Sequence, residues 1–384
     1  MLVQHGITPS VITGTPKAKK ITPANKLEDW YSKPYGTKLI SENFKGIPIN
    51  RYRLPESPAK KRLSVFHDKI KEQILSKNDA PDVIQFLSPF HTAAIDTFKL
   101  ARKNNIGTVV AYTLAKNAHP NIFKQWLQTK KLRQLFSIPD RIVVSSAEVQ
   151  SYLIDRGIKN QIEVIANGVD TSEFVPVKDD EEKNNIKRSL GIPLNKKILL
   201  NVGTIHPRKG TDLLLAAFRL IAEKNEDVDL CIVGPKANTS DQTLEQFDKD
   251  VNRLLECPEL KGRVHMVGMV DNVSDYMKAS DIFIFPSREE GMGNVVMEAM
   301  ATMIPVVVTS YLGFPSVFGN NNQHYLRAEF DERSIANQVE QLLADSELVR
   351  RLVQNAKTNI DEKLLLQDSI QQFANLYIQL KETL

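Results

Sequence analysis

The sequence has few cysteines and no long hydrophobic run. Its two cysteines, Cys231 and Cys257, are too few for a disulfide framework, so a reducing cytoplasm is the simplest interpretation. No apolar run reaches the roughly 18 residues of a membrane-spanning helix, and the first residues do not form a charged-then-apolar leader. We therefore predict a cytoplasmic chain without a transmembrane span or a signal peptide.

Internal repeats and low-complexity tracts are also absent, and the composition is that of an ordinary soluble globular protein. The length of 384 residues exceeds what one hydrophobic core usually supports, so two domains are expected. A charged, turn-rich stretch at 175–185 is typical of a linker. We accordingly predict domains at 1–175 and 176–365, followed by a C-terminal helix at 366–384 that packs back on the first domain.

Short apolar segments alternate with amphipathic segments along the chain. This alternation predicts parallel sheets covered by helices on both faces. The expected class is α/β, with two doubly wound parallel-sheet (Rossmann-like) domains facing a central cleft, where such sheets bind ligands. The predicted strands lie at 83–86, 108–112, 141–144, 162–165, 198–202, 230–233, 264–267, 282–285 and 306–308, and predicted helices include 186–190, 211–223 and 244–255.

Positive charge is concentrated in the first half of the chain. Residues 1–175 hold 26 Lys and Arg against 15 Asp and Glu, a balance of +11 that leaves −7 for the remainder of a chain of net charge +4. Lys130, Lys131 and Arg133 close a segment that contains Trp126, a pattern typical of a basic helix on an anionic membrane. A helix packed on its own core is an equally good interpretation. Nucleic acid is not an expected partner, because no nucleic-acid-binding motif accompanies the charge.

The segment 283–301 carries the most chemical information. A buried-looking strand is followed by the loop Gly291-Met-Gly293 and then by an apolar helical pattern. The free N–H groups at the start of a helix hold anions, and glycines let a ligand approach the backbone. This segment therefore predicts a phosphate-binding site.

Two carboxylates flank this loop. Glu290 precedes the glycines, and Glu298 lies about 12 Å further along the helix axis. Paired carboxylates at this separation suit the two ends of one extended ligand, and they accept hydrogen bonds from sugar or ribose diols. Glu298 needs a partner in such an apolar helix, so a structural salt bridge is the alternative; for Glu290 the alternative is an ordinary loop acid.

The residues 286–301 form a Glu-x7-Glu segment that resembles the donor site of the retaining family-4 glycosyltransferases of the GT-B fold, also called glycosyl transferases group 1. The segments 202–210, 165–170 and 140–146 resemble further parts of that family. The resemblance runs from about residue 80 to about residue 345 and is strongest in the C-terminal half. It implies transfer of a hexose-type sugar, with retention of configuration, from a nucleotide sugar to a glycan or lipid-linked acceptor, as in polysaccharide biosynthesis.

The resemblance also implies roles for individual residues. Glu290 and Lys209 would be catalytic, with Glu290 on the donor-sugar hydroxyls and Lys209 on the diphosphate. Glu298 would hold the ribose diol, and Arg208 would add a second cation. The remaining donor-binding positions are Gly203, Thr204, Gly291, Met292, Gly293, Asn294 and Val295. The family uses no metal in this site, so neither a metal nor another cofactor is expected.

Three positions depart from the family pattern. Thr204 stands where the family usually has a phosphate-binding Arg, and Ser316 stands where an acidic residue is common. Ala115 stands where the family often has a His. His91 and His119 lie nearby in the sequence and are candidate acceptor-side residues, with a structural histidine as the alternative for each. These departures concern turnover more than donor binding.

The chain also begins unusually for the family. The residues 2–15 resemble the end of the first helix and the second strand, which leaves the first strand and its glycine-rich loop without a counterpart. Either the chain is shortened at this point, or another segment or a partner subunit is expected to supply them. The alternative function is therefore a non-catalytic subunit that binds a nucleotide sugar or pairs with an active glycosyltransferase; a sugar epimerase or phosphorylase on the same fold is a weaker third interpretation.

Overall fold

A computed structural model describes residues 2–15, 38–44, 47–53, 59–76, 78–87, 93–113, 122–236, 242–311 and 314–384. Within these ranges the chain forms two parallel sheets, one in each half, and helices pack on them. The predicted α/β class is confirmed.

The first half contains a four-stranded parallel sheet and a smaller separate sheet. Its strands are β1 (Val11–Thr15), β2 (Lys38–Phe44), β3 (Ile47–Arg53), β4 (Val83–Leu87), β5 (Gly107–Tyr112), β6 (Arg141–Val144) and β7 (Ile162–Val164). The parallel sheet has the order β4-β5-β6-β7. The smaller sheet has the order β1-β3-β2, and its antiparallel pair β2 and β3 was not predicted from the sequence.

The second half is built on a six-stranded parallel sheet. Its strands are β8 (Lys197–Val202), β9 (Val228–Val233), β10 (Val264–Gly268), β11 (Ile282–Phe285), β12 (Val306–Thr309) and β13 (Leu326–Ala328). They lie in the order β10-β9-β8-β11-β12-β13. Buried Val, Ile, Leu and Phe residues fill β8, β9, β11 and β12, as expected for strands covered on both faces, whereas the edge strand β10 is only partly buried. All strands of this sheet except β13 were predicted.

Helices connect the strands and cover the two parallel sheets. They are α1 (Ala59–Ile74), α2 (Ala93–Lys103), α3 (Ile122–Phe136), α4 (Ala147–Asp155), α5 (Asp180–Ser189), α6 (Thr211–Ala222), α7 (Gln242–Leu255), α8 (Val273–Lys278), α9 (Asn294–Ala301), α10 (Glu332–Ala344), α11 (Ser346–Lys363) and α12 (Leu366–Thr383). The helix predicted at 186–190 begins earlier, at Asp180. Its cap is Asp179, whose side chain accepts a 2.8 Å hydrogen bond from the Glu182 N–H.

The C-terminal helix α12 packs on the four-stranded sheet of the first half. Leu376 and Leu380 are buried against Val109 and Val143 of β5 and β6. The Tyr377 hydroxyl donates a 2.7 Å hydrogen bond to the Gln85 side chain of β4. The last helix of the chain therefore joins the two halves.

The basic helix α3 is only partly packed. Leu135 and Phe136 at its end are buried, whereas Trp126 and Leu127 remain 53% and 45% exposed. Lys130 lies 5.2 Å from the centre of the Trp126 ring. Among the described helices, none is long and apolar enough to cross a membrane.

Candidate functional site

Two loops meet at the carboxyl edge of the six-stranded sheet. The strands β8 and β11 are neighbours, with Leu200 opposite Phe283. The loop 203–210 follows β8, and the loop 286–293 follows β11. Because parallel strands end at the same edge, the two segments singled out in the sequence lie side by side.

The Glu290 carboxylate is the centre of the contacts between these loops. Only 7% of the residue is exposed. Its Oε1 atom lies 2.5 Å from Lys209 Nζ and 3.1 Å from Arg208 Nη1, and it accepts a 2.7 Å hydrogen bond from Ser287 Oγ. Two cations therefore surround one buried carboxylate.

A second ion pair fixes the loops to the start of α6. Arg288 donates to both Asp212 oxygens, each at 2.8 Å, and its backbone N–H donates to the Arg208 carbonyl at 2.8 Å. The hydrogen bond to Asp212 raises the pKa of Arg288. Such a bidentate pair holds both loops in one geometry.

Gly210 closes the first loop in a conformation that favours glycine. Its φ is +71°, and a Cβ atom there would collide with the Pro286 carbonyl oxygen. The close approach of these two backbones brings Arg208 and Lys209 to Glu290.

Replacing Gly210 by Ala is expected to destabilise the fold by at least about 3 kcal/mol, since it adds a collision to an unfavourable φ. Gly262 is a matched control, because its φ is +76° but no atom lies within 4 Å of its Cβ position. Gly262→Ala should cost only about 1 kcal/mol. Urea unfolding of the two variants measures the difference, and equal losses would contradict the role of the Pro286 contact.

The helix α9 begins directly at the glycine loop. Its cap is Gly293, with a φ of +78° and no side chain to bond the first N–H groups. Tyr311 supports the loop, since its hydroxyl donates a 2.9 Å hydrogen bond to the Met292 carbonyl. This end of the helix is therefore arranged to receive an anion.

Glu298 lies inside α9 and is largely buried. Burial raises its pKa to about 7, and the negative charge of Glu173 adds to the shift. The apolar helix predicts a partner for this carboxylate. Within the described part of the chain no side chain donates a hydrogen bond to it, so the structural salt bridge is not found there.

This raised pKa has a consequence for stability. The carboxyl group ionises near pH 4.5 in a model compound and near pH 7 in the folded chain. Burying the charged form lowers the free energy of unfolding. This loss is absent below pH 4.5, grows between pH 4.5 and pH 7 and is complete above pH 7. Glu298→Gln is therefore expected to stabilise the unliganded protein at alkaline pH, by up to about 3 kcal/mol, and to do so less at acidic pH.

Urea unfolding at several pH values tests this expectation. The exposed Glu362 of α11 is a control, and Glu362→Gln should leave stability unchanged across the same range. A stability gain for Glu298→Gln that does not depend on pH would contradict the assignment of a buried, titrating carboxylate.

Contacts between the two halves close over the site. Asn167 Nδ2 donates a 2.9 Å hydrogen bond to Asn294 Oδ1. At Gly291, a Cβ atom would lie 2.6 Å from the Thr113 carbonyl oxygen of the first domain. The glycine loop therefore lies directly against the end of β5.

The other predicted site residues take different places. Gly203 lies against the Lys209 side chain, because a Cβ atom added at Gly203 would lie 3.6 Å from Lys209 Cδ. Thr204 is half-buried in the same loop. Val295 packs partly buried against the core. His91, His119 and Ala115 lie outside the described residues.

Sequence reasoning missed several residues at this site. Ser287 lies within 286–301, and its hydroxyl three residues before Glu290 was the available signal. Tyr311 follows β12, and Asn167 belongs to a segment that was matched to the family without a role. Among the described residues, no group of three or more His, Cys, Asp or Glu side chains is placed to hold a metal ion.

Comparisons with known proteins place the chain in a family. The model described as "Glycosyl transferases group 1" matches residues 182–359, and the model described as "Glycosyltransferase Family 4" matches residues 1–173.

Two individual relatives match the chain at low sequence identity. An N-acetyl-alpha-D-glucosaminyl L-malate synthase of Bacillus anthracis is 28% identical over 56% of this chain and 53% of its own length, so the chain spans about half the length of that relative. The lipopolysaccharide core biosynthesis glycosyltransferase LpsE of Rhizobium meliloti is 24% identical over 89% of this chain and 84% of its own length.

A solved structure shows the same fold. Anabaena HepE in complex with UDP and glucose superposes with a TM-score of 0.72 at 18% identity, covering 96% of this chain and 99% of that one. The observed fold, with two parallel sheets and helices on their faces, agrees with the two matching family models. The chain therefore belongs to the family-4, group 1 glycosyltransferases, with the GT-B fold.

Proposed function

We propose that the protein is a glycosyltransferase that moves a hexose-type sugar, with retention of configuration, from a nucleotide sugar to a glycan or lipid-linked acceptor. The observation that carries the proposal is the Arg208, Lys209 and Glu290 cluster beside the start of α9. Such a cluster offers cations, a free helix end and a carboxylate to one elongated ligand.

The charge of the cluster favours a diphosphate. Arg208 and Lys209 share a single carboxylate, while Arg288 is paired with Asp212. Within the cluster itself, two cations therefore meet one carboxylate next to the helix end. Cations placed at developing phosphate charge stabilise the departing group, which is the demanding step of glycosyl transfer.

The carboxylates suit the hydroxyl groups of the donor. The contacts that the structure shows at Glu290 all reach Oε1, which leaves Oε2 for sugar hydroxyls. Glu298 lies further along α9 in an apolar setting that favours a neutral or hydrogen-bonded acid. A ribose diol supplies the two donors that this buried carboxylate needs.

The chemistry follows from these positions. Departure of the nucleoside diphosphate leaves positive charge on the sugar, and the acceptor hydroxyl attacks from the same face. Its proton passes to the leaving phosphate, so neither a metal nor a separate protein base is required by this proposal. Lys209 stabilises the phosphate while Glu290 holds the sugar.

We also propose that the first domain docks on an anionic membrane surface at the cytoplasmic side, where a lipid-linked acceptor would be met. Trp126 and Leu127 are exposed on α3 beside Lys130 and Lys131. Arg133 belongs to the fold instead, because its Nε atom donates a 2.5 Å hydrogen bond to the Arg156 carbonyl.

Co-sedimentation with phosphatidylglycerol vesicles is expected at low salt and should weaken as salt screens the charges. Replacing Lys130 and Lys131 by Gln should reduce the bound fraction, since each cation near the surface contributes about 1 kcal/mol. Gln at the exposed Lys249 and Lys261 of the second domain is the control. Equal binding to neutral phosphatidylcholine vesicles would contradict an electrostatic contact.

A panel of uridine, guanosine and adenosine diphosphate sugars tests the enzymatic proposal. HepE is the reason to begin with UDP-glucose. The name of the Bacillus anthracis relative suggests L-malate as one soluble acceptor. The name of an Escherichia coli relative, a galactosyltransferase that acts on GlcNAc-diphosphoundecaprenol, suggests octyl N-acetylglucosaminide as another. Release of nucleoside diphosphate in multiple turnovers, with an α-linked product from an α-linked donor, is expected. Nucleotide binding without any turnover across the panel would contradict an active enzyme, and a product of opposite configuration would contradict retention.

A further inference from the structure

The first domain contributes a carboxylate that the proposed donor site does not use. Glu148 lies in the first turn of α4, just after β6. Its Oε1 atom accepts a 3.1 Å hydrogen bond from the Ser316 N–H of the second domain. The side chain therefore reaches across the cleft.

The other oxygen of this carboxylate is buried without a partner. Among the residues that the structure describes, no group donates a hydrogen bond to Glu148 Oε2, and Ser145 Oγ at the end of β6 is in the same condition. Only 2% of Ser145 is exposed. Buried polar atoms of this kind are costly, because they lose water without gaining another hydrogen bond. A ligand with hydroxyl groups would satisfy them.

Glu148 also lies close to the donor side of the cleft. Burial raises the pKa of Tyr311, and the negative charges of Glu290 and Glu148 raise it further. The Tyr311 hydroxyl itself bonds the Met292 carbonyl of the glycine loop at 2.9 Å. One tyrosine therefore lies within the influence of both carboxylates, one from each half of the chain.

We propose that Glu148 Oε2 accepts a hydrogen bond from the attacking hydroxyl of the acceptor and orients it towards the donor sugar. The Ser316 N–H holds the carboxylate in place through Oε1. The donor contacts assigned above all belong to the second domain, so a hydroxyl bound on the Glu148 side is that of the acceptor. Glu148 orients the hydroxyl and does not remove its proton, which leaves with the phosphate. This inference rests on the proposed function.

Glu148→Gln tests the role of Oε2 separately from that of Oε1. The amide keeps one oxygen for the Ser316 N–H and places an NH2 group where Oε2 was, so it no longer accepts from a hydroxyl. Turnover of UDP-glucose, with octyl N-acetylglucosaminide or with water as the acceptor, is expected to fall roughly ten- to a hundredfold. The affinity for UDP should stay at the wild-type value. Thermal unfolding should show a protein of at least wild-type stability, because the negative charge at the buried Oε2 position is removed while the bond from the Ser316 N–H is kept.

Ser316→Pro tests the support of the carboxylate. Ser316 is the first residue of a short 3-10 helix and follows Pro315 with a ψ of 120°, so proline fits there while removing the N–H. A smaller loss of turnover than that of Glu148→Gln is expected, with UDP affinity again unchanged. Ser316→Ala keeps the N–H and should therefore retain more turnover than Ser316→Pro.

Each other outcome overturns the inference in a recognisable way. Wild-type turnover in Glu148→Gln, together with a loss in Glu148→Ala, would show that only the contact between the domains matters. A loss of UDP affinity, or a raised KM for UDP-glucose with unchanged hydrolysis, would place Glu148 on the donor. A wild-type chain that binds no nucleotide or shows no turnover would contradict the proposed function itself.

Discussion

Lys209→Met is expected to lower the turnover of a nucleotide sugar by about a hundredfold to a thousandfold, the loss that follows removal of one group stabilising developing charge. Methionine keeps the aliphatic stem that packs at Gly203 and removes the charge 2.5 Å from Glu290. Steady-state kinetics with UDP-glucose measures the effect. Lys224→Met is the control, because the Lys224 pair with Glu340 is far from the strand ends that carry the site.

A second variant separates catalysis from stability. Lys209→Met leaves the buried Glu290 with fewer partners, which destabilises the fold on its own. Lys209→Met combined with Glu290→Gln removes both charges and should restore thermal stability. Turnover should remain low in the double variant. Recovery of turnover along with stability would show that the pair is structural.

Glu298→Ala is expected to weaken nucleoside diphosphate binding by about ten- to a hundredfold, the value of a charge-assisted hydrogen bond. Glu290→Ala is expected mainly to lower transfer, because we assign Glu290 to the reacting sugar and Glu298 to the nucleoside. Calorimetric titration with UDP alone measures the first effect. Unchanged UDP affinity in Glu298→Ala would contradict the assignment of this residue.

Local sequence patterns predicted the strands of the two parallel sheets except β13, and they singled out the segment that carries the candidate site. Runs such as 282–285 and 306–308 are short, apolar and β-branched or aromatic, and they became adjacent strands. The glycine loop and the carboxylates on either side of it occupy one strand–loop–helix unit, so their proximity follows from the local sequence.

Other features depended on contacts between distant segments. Glu148 and Ser316 are 168 residues apart, and Asn167 and Asn294 are 127 apart. Periodicity within a segment carries no information about such pairs. The sharing of one Glu290 oxygen by Arg208 and Lys209 likewise depends on how two loops meet in space.

Two local features were available in the sequence and were not used. The alternating segments 38–44 and 47–53 are separated by Lys45-Gly46, a signal for the antiparallel pair β2 and β3. Asp179 precedes three acidic residues that complement a helix start, yet the stretch was interpreted as a linker because of its charge. Both misses arise because turn and cap residues resemble loop composition.

A crystal structure of the chain soaked with UDP-glucose tests the central claim most directly. The account predicts the diphosphate beside Lys209 and Arg208 at the start of α9, the ribose diol on Glu298 and the glucose hydroxyls on Glu290. Clear density for the nucleotide elsewhere, with Lys209 still paired only to Glu290, would contradict it.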